Sequence, residues 1–184
     1  PGGTYTIDAN GTASSTNFKN FTSFFNTLMN NTRTDGGPLL GSGVSGGPVI
    51  VHVVPNSGPY TEQLNVSQIS GMDAVNHVRI YGNGNILQFT ATTTNIHVFR
   101  LNGIDYLSVS NLVIRSTASN AGWNLHLMNG SNYNTFDSCL IDYTALTSQT
   151  TNAVGICISN STTSPTSIGA AGYFDTFRNC TIKG

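Results

Sequence analysis

Three stretches of the chain repeat one another. Asp105–Arg115 (DYLSVSNLVIR), Asn132–Asp142 (NYNTFDSCLID) and Tyr173–Lys183 (YFDTFRNCTIK) carry apolar residues and a turn residue at matching positions. Aligning Val109, Phe136 and Phe177 brings Asn111, Ser138 and Asn179 together, then Leu112, Cys139 and Cys180, then Ile114, Ile141 and Ile182. The intervals are 27 residues (109 to 136) and 41 residues (136 to 177), the longer one explained by a loop insertion. A period near this length, made of short alternating strands and small polar turns, predicts an all-β chain with one coil of a parallel β-solenoid per repeat.

Few charges are present to steer a partner from a distance. Charged residues make up 8% of the chain, Lys+Arg 7 against Asp+Glu 8, and the net charge of -1 gives no footprint for nucleic acid or an anionic membrane. Hydrophobic residues at 38%, with Phe 9 and Tyr 7, are enough to fill a core. In place of charge the chain uses Asn, Thr, Ser and Gly, which suit turns and exposed sheets whose short polar side chains bond to their equivalents in the next coil. Such a composition points to an extracellular solenoid. No apolar run is long enough to span a bilayer, and no signal peptide opens the sequence.

One domain is expected over residues 1–184, with a strand, helix and loop in 1–48 and coils in 49–184. Thr4–Ile7 alternates and reads as a first strand, followed by a turn at Asn10-Gly11. Phe21, Phe24, Phe25 and Leu28 follow the i, i+3, i+4, i+7 pattern of an amphipathic helix, with Ser15 or Thr16 as its cap and Asn30-Asn31 as its end. Placed ahead of a solenoid, this helix is expected to cover the open end of the first coil. Thr34–Pro48 reads as a loop; Val49–Val54, Tyr60–Val66, Val78–Tyr81 and His97–Leu101 read as strands. Val98–Leu101 aligns with Leu125–Met128 at the same 27-residue offset (98 to 125), so each coil has at least two strands. Ala145–Ala153 and Asn160–Gly172 are expected to protrude as inserted loops. Because Gly184 follows directly on a strand, the chain is expected to be a piece of a longer protein.

No catalytic, metal or cofactor site is expected. Arg115, Asp142 and Lys183 share one repeat position, and Ser110, Asp137 and Arg178 share another, so Asp137 and Asp142 should pair with basic neighbours. Asp105 and Asp175 lie near turns and should bond local backbone, while Glu62, the sole glutamate, should be a solvated strand residue. His52, His77, His97 and His126 share no repeat position, which argues against a metal site or proton relay. An odd count of cysteines, Cys139, Cys157 and Cys180, argues for buried thiols, although Cys139 and Cys180 stack within bridging distance in principle. Asn111 and Asn179 suit left-handed turn positions and a stacked amide ladder. Asn-x-Ser/Thr sequons at Asn10, Asn20, Asn30, Asn65, Asn129, Asn160 and Asn179 matter only where the source glycosylates them. Thr90–Thr94 (TATTT) is not repeated at coil spacing, which removes an ice-binding reading.

The segments GTYTIDANGTASSTNFKNFTSFFNTL, GPVIVHVVPNSGPYTEQLNV and NGSNYNTFDSCLI together resemble right-handed parallel β-helix proteins of the pectin-lyase-like superfamily. More narrowly, they are similar to the N-terminal β-helix region of secreted or surface proteins of Bacteroidetes-type bacteria. The resemblance implies export, commonly by a type IX route, further domains in the same polypeptide, and a role as adhesin or surface-filament component. The calcium-binding Asp cluster with catalytic Arg of the superfamily's pectate lyases has no match here, nor do the paired-Asp and Gly-His-Gly motifs of its polygalacturonases. Two functions follow as expectations: a noncatalytic stalk or adhesion module with glycans or cell-surface proteins as partners, or a polysaccharide lyase or glycoside hydrolase whose catalytic coils lie beyond Gly184 or in the inserted loops.

Overall fold

A computed structural model describes residues 2–147, 151–169 and 171–184. The chain begins with strands β1 (Gly3–Ile7) and β2 (Asn17–Phe18), then helix α1 (Phe21–Asn30). After the loop, three-strand coils follow. The first is β3 (Val49–Val53), β4 (Tyr60–Thr61) and β5 (Leu64–Ser67); the second is β6 (Val78–Tyr81), β7 (Ile86–Phe89) and β8 (His97–Asn102). The third is β9 (Leu107–Ser110), β10 (Val113–Ser116) and β11 (Gly122–Met128); the fourth is β12 (Thr135–Asp137), β13 (Leu140–Asp142) and β14 (Ala153–Ile158). Strands β15 (Thr176–Arg178) and β16 (Thr181–Lys183) follow.

Equivalent strands of successive coils pair in parallel. Sheet A has the order β15-β12-β9-β6-β3-β1-β2, sheet B β16-β13-β10-β7-β4, and sheet C β14-β11-β8-β5. The chain is therefore a parallel β-helix with three strands per turn, one more than the minimum read from the sequence. The repeat register holds in sheets A and B: Phe136 pairs with Val109 and Phe177, and Ile141 with Ile114 and Ile182. In sheet C it is off by one. Leu125 pairs with Phe99 and Met128 with Asn102, an offset of 26 residues (99 to 125), because the path from Ser116 to Trp123 is one residue shorter than the equivalent path from Phe89 to His97. One residue more between Met128 and Thr135 than between Asn102 and Ser108 restores the 27-residue offset.

Inward residues of all three sheets form a single core from Ile7 to Ile141, with Phe136 stacked on Phe177 at a centroid distance of 5.5 Å. Positive φ angles turn the corners. Asn111, Ser138 and Asn179 have φ of 50°, 55° and 53°, and Tyr106, Tyr133 and Phe174 have 58°, 57° and 57°. Asparagine relieves the first row because its short polar side chain tolerates left-handed backbone. It does not form the expected amide ladder there: Asn179 Nδ2 donates to Asp137 Oδ1 at 3.2 Å. Asparagines of three successive coils are instead linked at another corner, where Asn129 Nδ2 donates to Asn102 Oδ1 and the Asn129 backbone N–H donates to Asn160 Oδ1.

Helix α1 seals the first coil as expected. Phe21, Phe24, Phe25 and Leu28 are buried in the core, and Phe21 and Phe25 meet the rings of Tyr60 and Phe99. Its cap is Asn20, whose side chain accepts from Ser23 N at 2.7 Å. Ser15 and Thr16 are too early, since Asn17 and Phe18 pair with Thr6 and Ile7 before the helix starts. Glu62 is not a solvated strand residue. Its carboxylate accepts from the amides of Phe21 and Thr22 at 3.1 and 2.7 Å, where the first-turn N–H groups lack helical partners. Leaving the strand line to do so, Glu62 marks the corner that divides Tyr60–Val66 into β4 and β5, a corner hidden in the sequence because Tyr60, Leu64 and Val66 keep an even spacing.

Of the two insertions, 160–172 carries an exposed Ile168 (95%) while Ala171 near its end is buried. The other ends one residue early, since Ala153 begins β14; residues 148–150 of it and residue 170 lie outside the described residues. At its described ends Thr147 N donates to Ser119 O, and Thr151 O, just before β14, accepts from Trp123 Nε1.

Candidate functional site

The outer face of sheet A presents a polar surface with two depressions. In β6, β9, β12 and β15 the apolar side chains Val78, Ile80, Leu107, Val109, Phe136 and Phe177 point inward, so the alternate residues face out. Register stacks these into two columns. One is Arg79–Ser108–Thr135–Thr176, the other His52–Tyr81–Ser110–Asp137–Arg178. Neighbouring members lie about 4.8 Å apart along the solenoid axis. A shallow depression of about 350 Å³ follows the first column, edged by Tyr106 and Tyr133, and a second of about 190 Å³ reaches from Arg79 and Tyr81 to Asp137 and Arg178.

The aromatic edge of this surface is a ladder. Tyr106 and Tyr133 stack at 5.0 Å with planes 6° apart, and Tyr133 and Phe174 at 5.1 Å and 8°. Face-to-face stacking of the rings occupies the π-faces that a sugar would need. The middle ring, Tyr133, is covered on both faces, and Phe174 at one end of the stack is exposed at 74%. The groove therefore offers hydroxyls, guanidinium groups and ring edges rather than aromatic platforms. The repeat alignment already held this column as Tyr106, Tyr133 and Phe174; their shared positive φ is what turns a sequence coincidence into a stack.

Acids on the outer faces are paired as the repeat implied. Asp137 Oδ2 lies 3.0 Å from Arg178 Nη2, and Asp142 Oδ2 lies 3.7 Å from Arg115 Nη1. Bonds from the Asn179 amide, Ser138 and Arg178 hold Asp137 below its ordinary pKa. For Asp142 burial pulls upward, but the Thr144 amide and hydroxyl together with Arg115 and Lys183 prevail and lower it. Asp105 and Asp175 do bond to backbone, but across coils: Asp105 accepts from Asn132 N at 2.7 Å and Asp175 from Asn134 N at 2.8 Å. They grip the same corner from its two sides. Burial, with Asp105 nearby, raises the pKa of Asp175, the one acid displaced in the direction a general acid requires. Its Oδ1 also accepts from Asn134 Nδ2, so that oxygen is committed to the corner.

The histidines separate into two kinds. His52 stacks on Tyr81 at 4.9 Å on the exposed face of sheet A, and His77 edges the larger depression. His97 and His126, which share no repeat position in the uncorrected register, come near one another on sheet C and are buried. Burial lowers His97 to about 3 and His126 to about 4; for both, the Arg100 charge adds to the effect. All three cysteines are free thiols: Cys139 and Cys157 are buried, and Cys180 is partly exposed. Among the described residues no group of three or more His, Cys, Asp or Glu could hold a metal ion. Comparisons with protein-family models, curated proteins and solved structures found no match to this chain.

Proposed function

We propose that the chain is a noncatalytic extracellular or cell-surface β-helix module, a stalk or adhesion unit whose outer sheet A face contacts an extended glycan. Its three-strand coils also support kinship with the pectin-lyase-like superfamily. One observation carries the functional reading. Hydrogen-bonding side chains repeat along the axis in the Arg79–Ser108–Thr135–Thr176 column, while Asp137 beside it is neutralised by Arg178 of the next coil. A polymer lying along the axis would meet an equivalent donor or acceptor at each step of about 4.8 Å, with Arg79 and Arg178 offering charge-assisted bonds near either end. Short polar contacts of this kind give weak, multivalent adhesion.

Affinity electrophoresis through gels containing neutral or acidic polysaccharides tests the reading. Retardation that Arg79→Ala relieves, with no release of unsaturated or reducing ends, is the expected result. Product release from the polysaccharide would replace this reading by the lyase or hydrolase one.

A further inference from the structure

The outer face of sheet C holds a second polar site. In β8, Val98 and Phe99 both enter the core, which leaves His97 and Arg100 as successive outward residues. The same break occurs in β11: Leu125 enters the core, and Asn124 turns in to bond Ser116 N and Asp142 O. Trp123 and His126 are the successive outward residues there, with ring centroids 4.9 Å apart. Because Trp123 pairs with His97 and His126 with Arg100, the side chains of His97 and Arg100 are neighbours in the same way one coil earlier.

Hydrogen bonds fix how these groups point. Arg100 Nε donates to His126 Nδ1 at 3.1 Å, so the second ring nitrogen, Nε2, carries the proton and donates to Ser159 O at 2.9 Å. This anchors the guanidinium by one edge. Its two terminal nitrogens have no hydrogen-bond partner among the described residues, and Arg100 is half-buried. The ion pairs among those residues are Arg33–Asp35, Arg115–Asp142 and Arg178–Asp137, and none includes Arg100. At His97, which is only 6% exposed, Gln63 Nε2 lies 3.4 Å from Nδ1 and donates to the backbone carbonyl at 3.0 Å. With Nδ1 facing a donor, Nε2 bears the hydrogen, and it is buried with no acceptor among the described residues.

A half-buried cation without a counter-ion beside a buried N–H without an acceptor is an electrostatic vacancy of one sign. We propose that Arg100 and His97 form an anion site on sheet C, the terminal guanidinium nitrogens gripping two oxygens of a carboxylate or phosphate-type oxyanion while His97 Nε2–H donates to it. Bidentate oxygen pairs suit the free end of the guanidinium, and chloride does not. The site is separate from the sheet A groove and does not depend on the glycan reading.

The test is a nitrogen-detected NMR titration of the protein with sodium acetate and, separately, with inorganic phosphate, at ionic strength held constant with chloride. Saturating shifts of the Arg100 Nε–H and His97 Nε2 signals at millimolar anion are expected, lost in Arg100→Gln and weakened at least about tenfold in Arg100→Lys, which keeps the charge but not the fork. Response to acetate alone assigns a carboxylate ligand, and response to both assigns the shared oxyanion chemistry. Unsaturated shifts that track total salt in the wild-type protein, or a response that survives in Arg100→Gln, would overturn the proposal.

Discussion

Mild acid should unfold this protein through two histidines. In the unfolded chain His97 and His126 take up protons near their ordinary value of 6.5, whereas in the folded chain burial holds them to about 3 and about 4. Between those values the unfolded state binds more protons, so stability falls as pH falls from 6.5. Each pH unit is worth about 1.4 kcal/mol per group. At pH 4 both groups have crossed roughly two and a half such units, an order-of-magnitude cost of about 3 kcal/mol each. Their combined effect is then a large part of the roughly 5–15 kcal/mol that holds a typical domain together. The depressed carboxylates Asp35, Asp73, Asp137 and Asp142 add their losses mainly below pH 4, and Asp175, which is raised, acts in the opposite sense. Urea midpoints measured from pH 7 to pH 4 at constant ionic strength should therefore drop steeply, and His97→Gln with His126→Gln should flatten the slope. A wild-type midpoint that stays level over this range, or imidazole signals titrating near 6.5 in the folded protein, would refute the reasoning.

Substitutions at four residues probe the scaffold by chemical denaturation. Asn179→Val places a β-branched side chain at a φ of 53° and should cost about 1–3 kcal/mol, whereas Asn179→Gly should cost much less. Glu62→Ala strips the first turn of α1 of its acceptor and should cost about 1–3 kcal/mol, with Glu62→Gln recovering part of it. Phe136→Ala opens a cavity between stacked rings in the core and should cost about 3–5 kcal/mol, while Tyr133→Ala in the outer ladder should cost less because Tyr133 is 47% exposed.

What could be read in advance was whatever repeats. The columns through Val109, Ile114, Arg115 and Ser110 follow from residue identity alone, because a side chain at one height is constrained by its equivalents above and below. Features that occur once were hidden. Glu62 reaches the helix from 40 residues away, and no local pattern announces such a bond. One residue fewer between β10 and β11 than between β7 and β8 shifts sheet C against sheets A and B, which concealed that His126 lies beside Arg100. Asp105 and Asp175 accept from backbone, but from amides of the neighbouring coil and not from the local turn that the sequence suggests. The sheet A groove was half visible, since its hydroxyl and aromatic columns are repeats, yet the mutual stacking of Tyr106, Tyr133 and Phe174 depends on their backbone angles.

The contrast between sheets B and C shows how a solenoid separates support from recognition. Along the outer face of sheet B polar side chains are linked from coil to coil: Gln88 donates to Thr61, Arg115 Nη2 donates to Gln88, and Asp142 lies beside Arg115, whose buried Nε alone lacks a partner among the described residues of this column. A column whose charges are paired in this way stiffens the rod and leaves no uncompensated charge for a ligand. On sheet C the pairing stops at Arg100, because the next coil presents a neutral imidazole that can accept one bond and cancel no charge. Replacing His126 with glutamate would supply the missing negative charge within the fold. If the interruption is what creates a binding site, His126→Glu should abolish the acetate response while Arg100 stays anchored; a response of unchanged strength in that variant would mean that the guanidinium's free end does not govern it.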